Sequence, residues 1–462
     1  MFLRSHGTSI QQKRSGAERA PQENHMKKKI SARLVFLFLF LLLTPSIGFP
    51  GSLDPTFATG GKFTMSFPDS TMFYRSSGYR VYVQPSNRIV AGGSFSNIGP
   101  DGYAPGVALL GLTPGGTVDS SYASQGSFKD WNAIAFTSFG NSQMLADGRI
   151  LRLSQFFAIS GFPSGNIYRQ MVDGLVDSGF SASINVGSSN TIPEGLAVLP
   201  SGKIMVLVFA QTNPESYTLY RLNSDGSRDA TFGTNGAKPF SIARLPDPEI
   251  ESMTALPDGK FVIAGQLNVG NNFQDFDELF IARFNPDGSL DGRFGRQGVV
   301  RYKYGAGLRG FVNDMIVRVD GSYVLAGGIK NPDLDTFMIG LTRRGKFDAT
   351  FGVRGVAVTD IAPGGNDLIS AFVESGGKLI AAGEAPAVGG SPVRFLMAKF
   401  SAAGALEAHT KTEFTAGQYS AAYGLTVQPD GKILGIGVTA NPAANNNTMW
   451  AIARYTDITN DQ

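Results

Sequence analysis

The sequence predicts an all-β protein: a seven-bladed β-propeller of four-stranded antiparallel blades, its ring closed by the N-terminal linker docking on the last blade. Three observations point there. A hairpin phrase occurs seven times, a strand-and-linker phrase falls between its copies, and the two chain ends carry complementary parts of that second phrase.

The hairpin phrase is clearest at Leu256-Pro-Asp-Gly-Lys-Phe-Val-Ile-Ala-Gly265. An apolar run enters, Asp258-Gly259 suits the positive φ of a tight turn, and a β-branched run leaves toward a glycine. Aligned on the turn, the copies fall at Asn87, Gly148, Gly202, Gly259, Gly321, Gly377 and Gly431, spaced 54 to 62 residues apart. So steady a period is a repeat architecture. The second phrase, clearest over 280–295, reads as a strand, a Gly-containing turn and a linker in which an Asp precedes an aromatic by three residues. A short strand follows each linker. Counted from that strand (a) through the hairpin (b, c) to the strand before the linker (d), blades are expected at 62–112, 127–172, 181–222, 237–284, 298–342, 355–400 and 411–455. One blade cannot bury both faces, so neighbours around an axis must cover it. Residues 51–57 are a linker without a preceding strand, and 450–455 a d strand without a following linker, so the two are expected to meet. An open β-solenoid or two smaller β domains are the alternatives.

Composition agrees. Glycine numbers 58, cysteine is absent, aromatics make up 11% and charged residues only 17%, a turn-rich and β-prone balance. Lys27, Lys28, Lys29 and Arg33 precede ten apolar residues at 34–43 and small residues at 44–48. This is the layout of a secretory signal, too short to span a bilayer. Residues 1–48 are therefore expected to be removed, with Met26 a candidate true start, leaving 49–462 as one propeller, secreted or periplasmic, bacterial and monomeric. Without residues 1–48 the chain holds 32 Lys+Arg against 35 Asp+Glu, a net charge near −3, so charge gives no argument for nucleic acid. The mature chain is expected to have no integral membrane segment. With no disulfide available, burial alone must hold it together.

The motifs Gln428-Pro-Asp-Gly-Lys-Ile and Ala282-Arg-Phe-Asn-Pro-Asp-Gly-Ser-Leu-Asp, with Phe294-Gly295, resemble the delta-60 repeat of bacterial proteins. The resemblance covers about residues 51–455 and implies a β-propeller of unknown function, with no catalytic residues to carry over. The second blade departs most, at 140–143 and in the shortened linker 173–177.

Chemistry-bearing residues are few. Of three histidines only His409 follows the signal, in what reads as a degraded linker at 406–410. One His and no Cys exclude multi-histidine zinc sites and cysteine nucleophiles. No catalytic or cofactor-binding residue is assigned. Residues 285–291 alternate oxygen-bearing side chains like a calcium loop, but a turn followed by a linker-capping Asp is the preferred reading. The cations after the hairpin turns (Arg88, Arg149, Lys203, Lys260, Lys378, Lys432) read as solvated or linker-pairing charges. The a–b and c–d loops, variable in length, share one face, the usual home of recognition. There Asp247, Glu249, Glu251, Asp275, Asp277, Glu278, Asp333 and Asp335 form a candidate acidic site for calcium or a basic partner, with solvated loop charge as the plainer reading. Phe73, Tyr74 and Tyr103 are candidate contacts to a carbohydrate or peptide. The expected function is a non-enzymatic binding module for a protein or carbohydrate partner, needing no cofactor. A polysaccharide hydrolase or lyase using loop carboxylates, or a structural module of a surface assembly, are the alternatives.

Overall fold

The computed structural model describes residues 53–67, 74–99, 102–130, 142–157, 163–180, 191–210, 216–241, 248–267, 276–305, 307–330, 332–387, 392–441 and 447–460. The signal segment lies outside them. Among the described residues all the regular elements are strands, and no helix is long and apolar enough to cross a membrane.

The chain opens with β1 (Lys62–Met65). The first blade is β2 (Tyr74–Val83), β3 (Ile89–Gly99), β4 (Gly102–Leu112) and β5 (Ser127–Asp130), and the second shows β6 (Ser142–Met144), β7 (Ile150–Phe157) and β8 (Pro163–Gln170). The third is β9 (Thr191–Val198), β10 (Ile204–Ala210), β11 (Ser216–Leu222) and β12 (Ala237–Phe240). The fourth is β13 (Pro248–Ala255), β14 (Phe261–Leu267), β15 (Glu278–Phe284) and β16 (Val299–Lys303). The fifth is β17 (Arg309–Val317), β18 (Tyr323–Lys330), β19 (Leu334–Leu341) and β20 (Val356–Thr359). The sixth is β21 (Leu368–Ser375), β22 (Lys378–Pro386), β23 (Val393–Ser401) and β24 (Leu406–Thr412). The seventh is β25 (Ser420–Val427), β26 (Ile433–Ala440) and β27 (Thr448–Tyr455), with β1 as its fourth strand: Lys62 lies opposite Ala453 and Met65 opposite Trp450.

This corrects the expected blade boundaries. The short strand after each linker completes the sheet before it and does not begin the next. The reason lies in the linker. In the fourth blade, Gly288 and Gly298 take positive φ, Leu290 bridges back to Phe284, and the Arg283 N–H bonds the Gly298 carbonyl at 2.9 Å. The chain is thus folded flat against β15, and β16 emerges at its free edge. His409 needs the same correction. Blade six replaces the long linker with the tight turn 402–405, so His409 stands on β24 opposite Ala398. That is an outer strand, not a linker.

The first strands of the blades touch one another around an axis: β6 with β9, β9 with β13, β13 with β17, β17 with β21, β21 with β25, and β25 with β2. They line the central channel. Middle strands such as β14 (burial unbroken from Phe261 to Leu267) are covered on both faces. The apolar cores lie between sheets. Phe261, Phe280 and Phe284 pack blade four on blade three, and Leu325, Phe337 and Ile339 pack blade five on Val262 and Ile281 of blade four. Ile89, Ala91 and Phe95 of blade one share a core with Leu434, Ile436 and Trp450 of blade seven.

A polar clamp repeats between blades. The linker residues Asp54, Asp119, Asp177, Asp229 and Asp291 each accept the backbone N–H two residues on, as a turn-capping carboxylate does. The aromatic three residues on (Phe57, Tyr122, Phe180, Phe232, Phe294) is buried. Arg454, Arg88, Arg169, Arg221 and Arg283 respectively donate to those carboxylates at 2.6–2.9 Å. Each guanidinium lies over the buried ring, 4.6–5.6 Å from its centroid, a cation–π geometry. Each also donates to a carbonyl of the next blade: Pro114, Val172, Ser224, Pro286 and Arg343. Most hairpin cations join the same unit. Arg88, Arg149, Lys203, Lys260 and Lys432 pair with the linker residues Asp119, Asp177, Asp229, Asp291 and Asp54, whereas Lys378 pairs with Glu407 on the outer strand β24.

Candidate functional site in the central channel

Six of the first strands carry an extra residue at the same level. Register against the second strand slips past Tyr79, Glu194, Glu251, Asn313, Ser370 and Tyr423. Each slip is a β-bulge, which bends a strand and re-aims a side chain. In five of these blades a glycine sits opposite. A Cβ on Gly93, Gly265, Gly327, Gly383 or Gly437 would lie 1.9–2.1 Å from a carbonyl oxygen of the bulged strand. The glycine that ends the hairpin phrase is therefore fixed by the bulge it faces.

The bulges and the residues after them build a polar wall. A cavity of about 240 Å³ is lined by Arg80, Ser142, Gln143, Glu251 and Asp314, with Met253 and Met315 between them. Side chains stitch adjacent first strands together. Tyr82 shares a hydrogen bond with Ser142 (2.7 Å), Gln143 accepts the Val198 N–H (3.1 Å), and Asn313 donates to the Ile369 carbonyl (2.8 Å). Gln266 donates to Glu251 (3.0 Å) and accepts the Val312 N–H (3.0 Å). Asp314 accepts the Met315 and Phe372 N–H groups at 2.8 and 3.2 Å. Tyr79 stacks on Tyr423 with centroids 5.5 Å apart, and the Tyr423 hydroxyl meets that of Tyr419 (3.1 Å), which donates to Glu384 (3.3 Å).

Enclosure shapes the ionisation. Burial pushes the Glu251 carboxyl up to about 8, with like charge from Glu249 and Glu194 adding to it. It holds its proton at neutral pH. Burial also raises Asp314, against the pull of Arg80, and raises Glu384. The channel thus offers a protonated carboxyl, a buried acid, a guanidinium, an amide and stacked phenols.

The eight carboxylates picked from the sequence do not meet at one place. Asp247, Asp275 and Phe73 lie outside the described residues. Tyr74 and Tyr103 stand on β2 and β4, and nothing is described of their side chains. Glu249 and Glu251 stand on β13, and Glu251 enters the channel. Asp277 pairs with Arg309, and Glu278 with Arg301. Asp335 meets Asp360 and Asp367 instead, with Asp333 beside it. The 285–291 stretch is a turn: Asp287 accepts the Ser289 N–H and hydroxyl (2.9 and 2.6 Å), and Asn285 donates to Ser289 (3.0 Å). Tyr79, Arg80, Glu194, Asp314 and Tyr423 escaped the sequence reading, although a signal existed. Glu251 precedes the turn residue Gly259 by eight positions, as Tyr79 precedes Asn87, Glu194 Gly202, Asn313 Gly321 and Tyr423 Gly431.

A larger cavity, about 1030 Å³, opens between blades four and five on the hairpin-turn face. Its wall includes Lys260, Arg283 and Arg318, which already bind Asp258, Asp291 and Glu374, so it is a seam of the clamp.

Comparison with known proteins bears on the fold. A comparison with curated proteins finds no match. A protein of unknown function from Dyadobacter fermentans is similar in structure at 12% identity and TM-score 0.42, over 77% of this chain and 98% of that one. The β-propeller domain of the trilobed protease from Pyrococcus furiosus matches at 10% identity and TM-score 0.43, over 84% and 99%. The polysaccharide lyase Uly1 matches at 13% identity and TM-score 0.47, over 87% and 93%. None of these likenesses assigns an activity. Residues 84–122, 199–232 and 256–294 match the family described as a domain of unknown function (DUF5122) beta-propeller. That match falls on three hairpin-to-linker units of a seven-bladed ring and supports a β-propeller repeat family of unknown function.

Proposed function

We propose that this chain is an exported, non-enzymatic binding module. It seats a small, hydroxyl-rich ligand such as a sugar residue in its channel and turns its variable loops toward a partner. The observation that carries the reading is the alignment of bulges, in which five glycines make room for Tyr79, Glu251, Asn313, Ser370 and Tyr423, and Glu194 stands at the matching place in a sixth strand. A protonated carboxyl, an amide, a guanidinium and hydroxyls lining one cavity match the hydroxyls of a sugar. At about 240 Å³ the cavity is smaller than the roughly 300–1,000 Å³ of drug-sized sites, so the ligand is one ring in size. Calorimetric titration of the mature chain with a panel of mono- and disaccharides is expected to give saturable binding, weakened at least tenfold in Glu251→Ala. Absence of binding across the panel, or binding unchanged in that variant, would remove the reading.

A second reading rests on Glu251 alone. A carboxyl protonated at neutral pH has the state a general acid needs in glycoside cleavage. If it acts so, the chain releases reducing ends from a polysaccharide and Glu251→Gln abolishes the release. No release by the unaltered chain disposes of hydrolysis.

The same group sets a pH dependence. The unfolded chain releases the Glu251 proton near 4.5 and the folded chain near 8, so the folded state binds more protons between these values and stability falls as pH rises through them. Glu251→Gln is expected to stabilise the chain at pH 8 by about 2 kcal/mol, less than the full shift implies because water enters the channel. At pH 4 the gain is expected to vanish. Urea midpoints at the two pH values check this, and an equal effect at both would contradict it.

A further inference from the structure

On the variable-loop side of blade five, Asp335 at the start of β19 faces Asp360, just after β20, and Asp367, just before β21. One carboxylate oxygen from each lies within 4.8 Å of the other two. Asp367 is fully buried and locked as an acceptor. One oxygen takes the Thr336 N–H (3.1 Å) and hydroxyl (2.7 Å), and the other takes the N–H groups of Ile361 (2.9 Å) and Ala362 (3.1 Å). These bonds hold the loop 360–367 against β19, as does the Asp367 N–H on the Leu334 carbonyl (2.7 Å).

Asp335 is the informative member. Its side chain is buried, 7% exposed, and its Oδ1 has no hydrogen-bond partner. Its nearest charges are also negative: Asp333, Asp360 and Asp367. Among the described residues no Lys or Arg pairs with any of the three clustered carboxylates. A buried acceptor left without a donor is costly, and a buried anion among like charges more so. What would relieve both is a cation.

We propose that Asp335 and Asp360 bind one calcium ion, at a site whose third carboxylate, Asp367, holds the loop through the four hydrogen bonds it accepts. Two oxygens bound to the same calcium at 2.3–2.6 Å stand at most about 5 Å apart, and the oxygens of Asp335 and Asp360 meet that limit before any adjustment. Asp335 supplies the buried ligand, exposed Asp360 closes the solvent side, and Asp367 fixes the loop that carries Asp360. Calcium suits the site better than magnesium because it accepts irregular oxygen sets completed by water, whereas magnesium demands a near-ideal octahedron. The ion would tie the loop 360–367, which leads into a channel strand, to β19.

The test uses the full mature chain stripped of metal with a chelator. Calcium chloride titrated at pH 7.5 is expected to raise the melting temperature by several degrees, saturably, because the ion binds only the folded chain. Magnesium at the same concentrations is expected to give a much smaller rise. Asp335→Asn removes one anion from the cluster, so it should melt at or above the metal-free chain while its calcium response falls at least tenfold in affinity. That pairing separates loss of the ion from loss of the fold. No melting shift at millimolar calcium, or a shift retained in both Asp335→Asn and Asp360→Asn, would overturn the proposal.

Discussion

Replacing Arg454 with alanine is expected to destabilise the chain by about 3–5 kcal/mol, the usual loss when one partner of a buried ion pair is removed. Arg454 is 5% exposed and Asp54 2%, and they come from opposite ends of the chain. Arg454 donates to Asp54 at 2.9 Å, lies 4.7 Å over the Phe57 ring and reaches the Pro114 carbonyl in blade one. Alanine leaves the Asp54 carboxylate buried with only Lys432 (3.1 Å) and the Thr56 donors. The equivalent Arg283→Ala removes the same chemistry between blades four and five, whose strands remain joined by continuous chain. The seam variant is therefore expected to cost more than Arg283→Ala. A pH dependence follows from the same group. Thr56, Lys432 and Arg454 outweigh the burial that opposes them and hold Asp54 down at about 2, against an ordinary 3.8. Its contribution is present above pH 4 and lost as pH falls from 4 toward 2. Urea midpoints at pH 7 and pH 3 measure both effects. A loss under 1 kcal/mol at pH 7, or equal losses at the two pH values, would show that the clamp does not hold the seam.

Gly265→Ala is expected to cost about 3 kcal/mol or more, a large penalty for a single methyl group. The added carbon would stand 1.9 Å from the Glu249 carbonyl oxygen, and the obstacle is backbone, so no rotamer relieves it. Removing the clash means straightening the bulge, which withdraws Glu251 from the channel. Gly292→Ala is the control: nothing lies within 4 Å of its added carbon, and a change within about 0.5 kcal/mol is expected there. If the two alanines cost the same, the glycine-for-bulge account fails.

The repeat and its strand count were legible because each hairpin writes its own turn, as Asp258-Gly259 does. The turn cations read from the sequence as solvated or linker-pairing, and only the folded linkers show which of the two holds, because the partner Asp lies 26 to 31 residues away or at the other end of the chain. Ownership of the short strand was not, since residues 299–303 read the same whichever sheet they join; only the turns at Gly288 and Gly298 decide it. The bulges were hidden for a related reason. Alternation along a strand shows its two faces, but an extra residue such as Tyr79 or Glu251 appears only against the partner strand. The acidic cluster was partly visible through Asp335. Asp360 and Asp367 carry no such signal in sequence, because they approach Asp335 only through the edge strand β20 joining the sheet of blade five.

The side-chain carboxyl of Glu251, labelled with carbon-13 and followed by NMR across pH 3 to 10, reports directly on the channel. A midpoint near 8, with a second step as the Glu194 and Glu249 charges respond, is the expected result. A midpoint near 4.5, that of a solvated glutamate, would mean that the bulge does not carry Glu251 into an enclosed polar wall, and the proposed ligand seat would go with it.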